Sequence, residues 1–500
     1  MAKSFAERGV FPRDVYVSPT VVGQSVIALP VIRAFGFSHV HLRILTLLVS
    51  AGILLELECL LTLAGVTARI RFVALAMLVA NPIFLNLAMS FMTEVYGYFV
   101  ALLSACIWYA GRKRESGTFI VLAGVMAGLS FWIRQFGALV LPALVLGEWL
   151  AGPRSLTSAR TIALRRAPAV LAWWAMIALY FAWSKATGNS PYVAGLVANV
   201  WRVHVGWMLL EAGLWLFYLT IFFAPLIIGQ GISSKLTVGS GLFFGALALT
   251  AMLAWVLGTR NGPPSVFLNS TFPFLNNVFT RFGVGPVTIT DVYWGNAPSR
   301  PRVPVIPWLV LEMFALIVSL GWSKVVGRMR VATSEIGFFG ICLSVLTLVA
   351  VLLPFRENVL DRYHYPSILG FCIALAVVFP PSNWRRLRYI AAVWILMMAA
   401  FSTLGMHDYF RWQEVRASLL SEAARRGIRV SEVEAGVEQN GWSMVEGIDH
   451  VPGCAPSQIL CGRDRYRIGV QAFPTENVIL SRPVKTWLVR FPNLELIQKL

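Results

Sequence analysis

The sequence predicts an all-α polytopic membrane bundle with a small α+β domain at its C-terminal end. Three observations predict it. Hydrophobic residues make up 57% of the 500-residue chain and charged residues only 13%, with a mean hydropathy of +0.69, outside the range of soluble globular domains. The apolar residues gather into runs long enough to cross a hydrocarbon core roughly 30 Å thick. After residue 407 the pattern changes to alternating charge and short strand-like runs.

Twelve runs qualify as spans, near 43–65, 72–92, 95–111, 118–133, 136–151, 167–184, 206–228, 237–257, 306–323, 336–354, 365–380 and 389–406. Every second connection between them is basic: Arg69 and Arg71; Arg112, Lys113 and Arg114; Arg154, Arg160, Arg165 and Arg166; Lys235; Lys324, Arg328 and Arg330; Arg385, Arg386 and Arg388. The positive-inside rule makes these loops cytosolic. They hold 16 of the 42 basic residues, so the net charge of +18 records membrane topology and calls for no nucleic-acid partner.

The same parity places residues 1–42, the loop 259–304, residues 355–364 and everything from 407 on the other side of the membrane. Residues 1–42 form a juxtamembrane segment whose apolar stretch 21–36, broken by Pro30 and Arg33, suits the interface better than the core. It has neither a signal peptide nor a span to export it, so a further span upstream of Met1 is expected. The bundle covers 43–406 and the α+β domain 407–500, where "RWQEVRASLLSEAARRGI" reads as a surface helix ending near Gly427 and "VILSRPVKTWLV" as strand. The loop 259–304 is rich in Gly, Pro and Asn with interleaved aromatics, the composition of a lid packed onto a cavity.

Cys59, Cys106, Cys342 and Cys372 fall inside spans, where a small polarizable residue packs. Cys454 and Cys461 lie in the exported tail and are candidates for a short-loop disulfide; metal binding there would need further Cys or His nearby. No His/Asp/Glu cluster has metal-ligand spacing, so a divalent metal would need carboxylates gathered by the fold.

The chemistry-bearing residues collect at the non-cytosolic ends of the spans. Glu94, in "SFMTEVYGYF", reads either as a general base or metal ligand for a lipid-linked substrate or as a charge at a helix N-terminus, with Thr93 before it as the N-cap. Arg134, in "SFWIRQFG", reads as a phosphate-binding fork or as a side chain snorkelling to the headgroups. "RENVLDRYHYP" at 356–366 gathers Arg356, Glu357, Asp361, Arg362, Tyr363 and His364, with an Asp361–Arg362 pairing absorbing part of the charge. Asp14 is a further acid on that side, or a turn residue after Pro12. Glu56 and Glu58 fall inside a span, two residues apart and so on nearly opposite faces. Glu148, Glu211 and Glu312 sit near span ends and call for no special role.

In order, spacing and sidedness these pieces resemble the GT-C superfamily of integral-membrane glycosyltransferases, in particular bacterial members related to protein mannosyltransferases and aminoarabinose transferases. "HLRILTLLVSAG" is similar to the family's second helix, "NPIFLNLAMSFMTEVYGYF" to its second acidic loop, "AGLSFWIRQFGALVLPA" to the next helical pair and "DRYHYPSILG" to its late Arg-Tyr motif. "MAKSFAERGVFP" resembles the segment after the first acidic loop. The resemblance implies a polyprenyl-phosphate-sugar donor and a glycan, lipid or protein acceptor at the periplasmic face of a bacterial inner membrane. It puts Glu94 in the second acidic position and makes Arg134 and Arg362 neutralise the donor phosphate, with Tyr363 and His364 lining the site. The family's main catalytic acid would lie just upstream of Met1, or Asp14 would replace it. A transporter or flippase of a lipid-linked glycan is the competing expectation; it would be marked by ionisable groups near the membrane midplane.

Overall fold

The computed structural model describes residues 5–7, 22–153, 155–187, 205–231, 278–280, 283–285, 305–332, 334–352, 361–429, 432–435, 465–470, 472–488 and 493–499. Asp14, Arg356, Glu357, Cys454, Cys461, the span at 237–257 and most of the loop 259–304 lie outside them.

The chain is a helical membrane protein. Five helices among the described residues are long and apolar enough to cross a membrane, six if one bent pair is a single span. Apolar side chains stand exposed along them, among them Leu55 (72%), Phe72 (71%) and Leu396 (70%), a surface that lipid covers and water does not.

The first half of the bundle positions the site. Helix α1 (Val22–Phe35) is the short apolar stretch expected at the interface. It leads to α2 (His39–Leu63), α3 (Ala68–Ala80) and α4 (Pro82–Ala88). The run expected as one span at 72–92 is α3 plus α4, bent by 69°. Asn81 explains the bend: its side chain accepts the N–H groups of Ile83 and Phe84 at 2.9 and 3.3 Å, and Pro82 at the first helical position has no N–H to lose. Helix α5 (Thr93–Lys113) then packs along α2 and α6 (Gly117–Phe131). A 3-10 turn (Gln135–Leu139) carries the chain from α6 into α7 (Val140–Ala151), followed by the long α8 (Leu156–Thr187).

In the second half, α9 (Val205–Phe222) and α10 (Ala224–Gly229) divide one expected span; α11 (Val305–Ser319) covers most of the span expected at 306–323, and the basic loop expected after it is helix α12 (Trp322–Ala332). Helix α13 (Glu335–Leu352) and helix α14 (Tyr365–Val378) pack closely, with a 3-10 turn (Asp361–His364) opening the second. The contact is close because Gly340 and Gly370 face each other: a Cβ on Gly370 would meet the Gly340 carbonyl oxygen at 2.5 Å.

The last helix, α15 (Trp384–Arg425), runs unbroken for 42 residues, about 63 Å at 1.5 Å per residue. It joins the expected span at 389–406 and the expected surface helix into one rod. Its far half carries a four-stranded sheet of order β1-β2-β4-β3, built from β1 (Val433–Glu434), β2 (Tyr466–Gly469), β4 (Leu494–Lys499) and β3 (Glu476–Arg482). Within this sheet only the β1–β2 pair is parallel. Asp408 clamps the sheet's connection to the rod, accepting the N–H groups of Trp487 and Leu488 at 2.7 and 2.8 Å, while the His407 ring stacks on Trp487 with centroids 3.6 Å apart.

Candidate functional site

Four of the expected site residues, Glu94, Arg134, Arg362 and Tyr363, meet at one end of the bundle. Glu94 lies in the first turn of α5 and is 2% exposed. Arg134 Nη2 stands 3.0 Å from its Oε1, and Arg362 Nε stands 3.6 Å from the same oxygen. Thr93 is not the helix cap: Met92 holds that position without a side-chain cap bond, and the Thr93 hydroxyl donates to Glu94 Oε2 at 3.3 Å. Arg134 does not snorkel outward but turns in to the carboxylate.

Local sequence makes the approach possible. A Cβ on Gly97, one turn after Glu94, would stand 2.8 Å from the Arg134 Cβ, so a glycine is needed there for the turn carrying Arg134 to lie against α5. From the other side the Gly23 N–H donates to the Trp132 carbonyl at 3.2 Å, seating α1 on the same turn.

One carboxylate thus faces two guanidiniums, and each of them keeps one N–H without a partner among the described residues. The Nε of Arg134 and the Nε of Arg362 are buried with no hydrogen-bond partner among the described residues. The remaining support comes mostly from rings and sulfur, with the Tyr363 side chain also hydrogen-bonded to Arg362. The Tyr363 ring lies 5.0 Å from Arg134 Cζ and 5.5 Å from Arg362 Cζ, Phe136 lies 5.7 Å from Arg134 Cζ, and Arg362 Nη1 reaches the Met92 sulfur at 3.9 Å. Aromatic faces hold cations in place without consuming their N–H donors.

The turn that presents Arg362 is itself pinned. Asp361 is fully buried and does not pair mainly with its neighbour Arg362. Its carboxylate accepts the N–H of Val278 at 3.0 and 3.1 Å and that of Phe279 at 2.6 Å. Those residues open a two-stranded hairpin (Phe279–Thr280 with Gly283–Val284) whose Val284 and Gly285 lie against Gly405 and Tyr409 of α15. This small piece of the outer loop therefore ties the Arg362 turn to the long helix. Burial pushes the Asp361 carboxyl up to about 7, against the pull of the backbone N–H groups of Phe279 and Val278. Burial likewise takes His364 down to about 3. With both ring nitrogens buried and without partners among the described residues, His364 is a neutral imidazole beside the site and no ligand to Glu94.

The opposite end of the bundle holds a second charged cluster that the sequence reading passed over. Arg166 grips Glu148 with two hydrogen bonds of 2.9 and 2.8 Å. Arg112 reaches Glu148 at 3.1 Å and Glu335 at 2.6 Å. Four helices, α5, α7, α8 and α13, are joined by two arginines and two glutamates. Arg112 and Arg166 signalled only loop sidedness in the sequence, and no spacing between them and Glu148 could have disclosed the pairing.

No group of three or more His, Cys, Asp or Glu side chains among the described residues could hold a metal ion. Chemically, the Glu94 end offers a carboxylate that can take a proton and two convergent guanidinium forks that can take an anion. In comparisons with protein-family models, curated proteins and solved structures, nothing matches this chain.

Proposed function

We propose that the chain is a glycosyltransferase of the GT-C kind, a twelve-span protein of the bacterial inner membrane with its C-terminal domain in the periplasm. It moves a sugar from a polyprenyl-phosphate donor to a glycan, lipid or protein acceptor on the periplasmic face. The single observation that carries the reading is the buried meeting of Glu94 with Arg134 and Arg362, in which two forks share one carboxylate oxygen.

A phosphate entering between the two guanidiniums takes up their open N–H donors and draws them from Glu94. The freed carboxylate then accepts the proton of the acceptor hydroxyl as that oxygen attacks the anomeric carbon. The bond from that carbon to the phosphate oxygen breaks, and the arginines stabilise the charge left on the lipid phosphate. Tyr363 holds both guanidiniums from behind.

One observation favours the second reading, a transporter or flippase of a lipid-linked glycan. Glu56 lies buried well inside the bundle, where coupled transporters keep ionisable groups. Surface-glycan profiling of a deletion strain complemented with wild type or with Glu94→Gln separates the two. The enzyme reading expects the variant, present and folded, to bind polyprenyl phosphate while the glycan stays truncated by one residue. Full restoration by Glu94→Gln would remove that residue from the chemistry.

A further inference from the structure

Between α3 and α15 the surface of the bundle opens into an apolar groove of about 440 Å³, within the roughly 300–1,000 Å³ range of small-ligand sites. Ala76 and Ala80 on α3 and Ala399 on α15 line it, leaving room that longer side chains would fill. The two helices touch at one end of it, where the Ser402 hydroxyl donates to the Ala80 carbonyl at 2.7 Å. The bend at Asn81 brings Leu85 of α4 to the same end. Among the described residues lining the groove only Thr403 is polar, and Phe72 and Val79 stand exposed along it. It therefore faces hydrocarbon.

Helical spacing puts a cation on each wall at the other end. Arg69 precedes Phe72 by three residues and Ala76 by seven, and Arg388 precedes Ile395 by seven, so both fall on the faces that line the groove. The helices run in the same direction, since Arg69 Cζ lies 5.8 Å from the Trp384 ring at one end of the pair and Ala80 meets Ser402 at the other. Both arginines are exposed, and Arg388 Cζ lies 4.4 Å from the Tyr389 ring. Arg71 is spent on Glu58 at 2.7 Å. Neither Arg69 nor Arg388 has an acidic partner among the described residues.

These arginines lie at the end of the bundle away from Glu94. Helix α2 runs parallel to α5: Thr46 Oγ1 lies 2.9 Å from Tyr96 Oη, and the Cys106 thiol donates to the Glu56 carbonyl at 3.5 Å. The C-terminal end of α2 is thus level with Arg112, and Arg69 follows just beyond it.

We propose that the groove holds one phospholipid with an anionic headgroup, its acyl chain between α3 and α15 and its phosphate at Arg69 and Arg388. Two unpaired guanidiniums at the mouth of an apolar slot complement a phosphate on a hydrocarbon chain. The length also matches: from Ile395 to Thr403 the helix rises about 12 Å at 1.5 Å per residue, close to the roughly 15 Å of hydrocarbon in one leaflet. Because the headgroup sits at the end opposite Glu94, this lipid is a resident of the basic-loop leaflet and fastens the long α15 to the first half of the bundle. The proposal does not depend on what binds at the Glu94 end.

Native mass spectrometry of the full-length protein, titrated in detergent with phosphatidylglycerol or with phosphatidylcholine of the same chains, tests it. Wild type is expected to bind one phosphatidylglycerol several-fold more tightly than phosphatidylcholine. Arg69→Gln and Arg388→Gln should each weaken that binding about fivefold, and Ala399→Trp, which fills the groove, should weaken it further. Arg160→Gln, on α8 and outside the groove, should leave it unchanged. Equal affinity for the two lipids, or wild-type affinity in the Arg69→Gln/Arg388→Gln double variant or in Ala399→Trp, would overturn the proposal. So would displacement of the bound phosphatidylglycerol by equimolar polyprenyl phosphate, which would give the groove to that lipid's tail. Should Ala399→Trp fail to fold, phosphatidylglycerol with a diazirine in its acyl chain is crosslinked to wild type. Adducts within 72–80 or 395–403 support the site, and adducts confined to other helices overturn it.

Discussion

The two charged clusters at opposite ends of the bundle use the same residue types and differ in how far those residues are satisfied. Around Glu148, two arginines meet two glutamates, and Arg166 spends both edges of its fork on one carboxylate. Around Glu94, two arginines share one oxygen and keep buried N–H groups unfilled. Asp361, the acid beside Arg362 in the chain, is already occupied by the N–H groups of Val278 and Phe279. A filled network fastens helices together. A cluster with donors to spare can take up an anion.

Stability measurements on the purified protein in detergent can break this comparison. Arg166→Gln leaves Glu148 as an under-compensated buried charge and should cost the most, about 3–5 kcal/mol, read as a large fall in melting temperature. Gly97→Ala comes next, at about 1–3 kcal/mol, because the new methyl group overpacks the turn carrying Arg134. Arg134→Gln should cost less than Arg166→Gln, about 1–3 kcal/mol, because it removes one contact to Glu94 where Arg166→Gln removes two hydrogen bonds to Glu148. Equal losses for Arg166→Gln and Arg134→Gln would erase the distinction between the two ends.

Asp361 sharpens the same point through pH. Its folded-state value of about 7 lies above the ordinary 3.8, so the folded protein binds that proton more tightly than the unfolded chain. The stabilisation is complete below the unfolded value and is lost as pH rises through about 7. Melting temperature should therefore fall between about pH 4 and about pH 7 and level off above, and Asp361→Asn should flatten that slope.

Much of this was legible in the sequence, and what was not has a physical reason. Apolar runs and alternating basic loops marked most of the helices, because span length and loop charge are local properties. Glu94, Arg134 and Arg362 each stood out as a charge at a span end, on the same side. That they meet was not legible, because a contact between residues forty and 268 positions apart depends on how helices pack and on a glycine at 97. The partners of Glu148 were hidden for the same reason. The bend at Asn81 was readable from the Asn-Pro pair but lay buried in a continuous apolar run. The expected Asp361–Arg362 pairing gave way to backbone N–H groups, since a fully buried carboxylate takes the donors that surround it. Asp14, Cys454 and Cys461, read as catalytic acid and disulfide, fall outside the described residues.

The central claim is that the Glu94 end holds an anionic lipid phosphate through Arg134 and Arg362. Polyprenyl phosphate titrated against nanodisc-embedded protein tests it most directly. Hydrogen bonds to charged groups are worth about 1.5–3 kcal/mol each, so Arg362→Gln should weaken binding by roughly 10- to 150-fold, while Arg112→Gln at the other end should leave it unchanged. Undiminished binding to an Arg134→Gln/Arg362→Gln double variant would contradict the account.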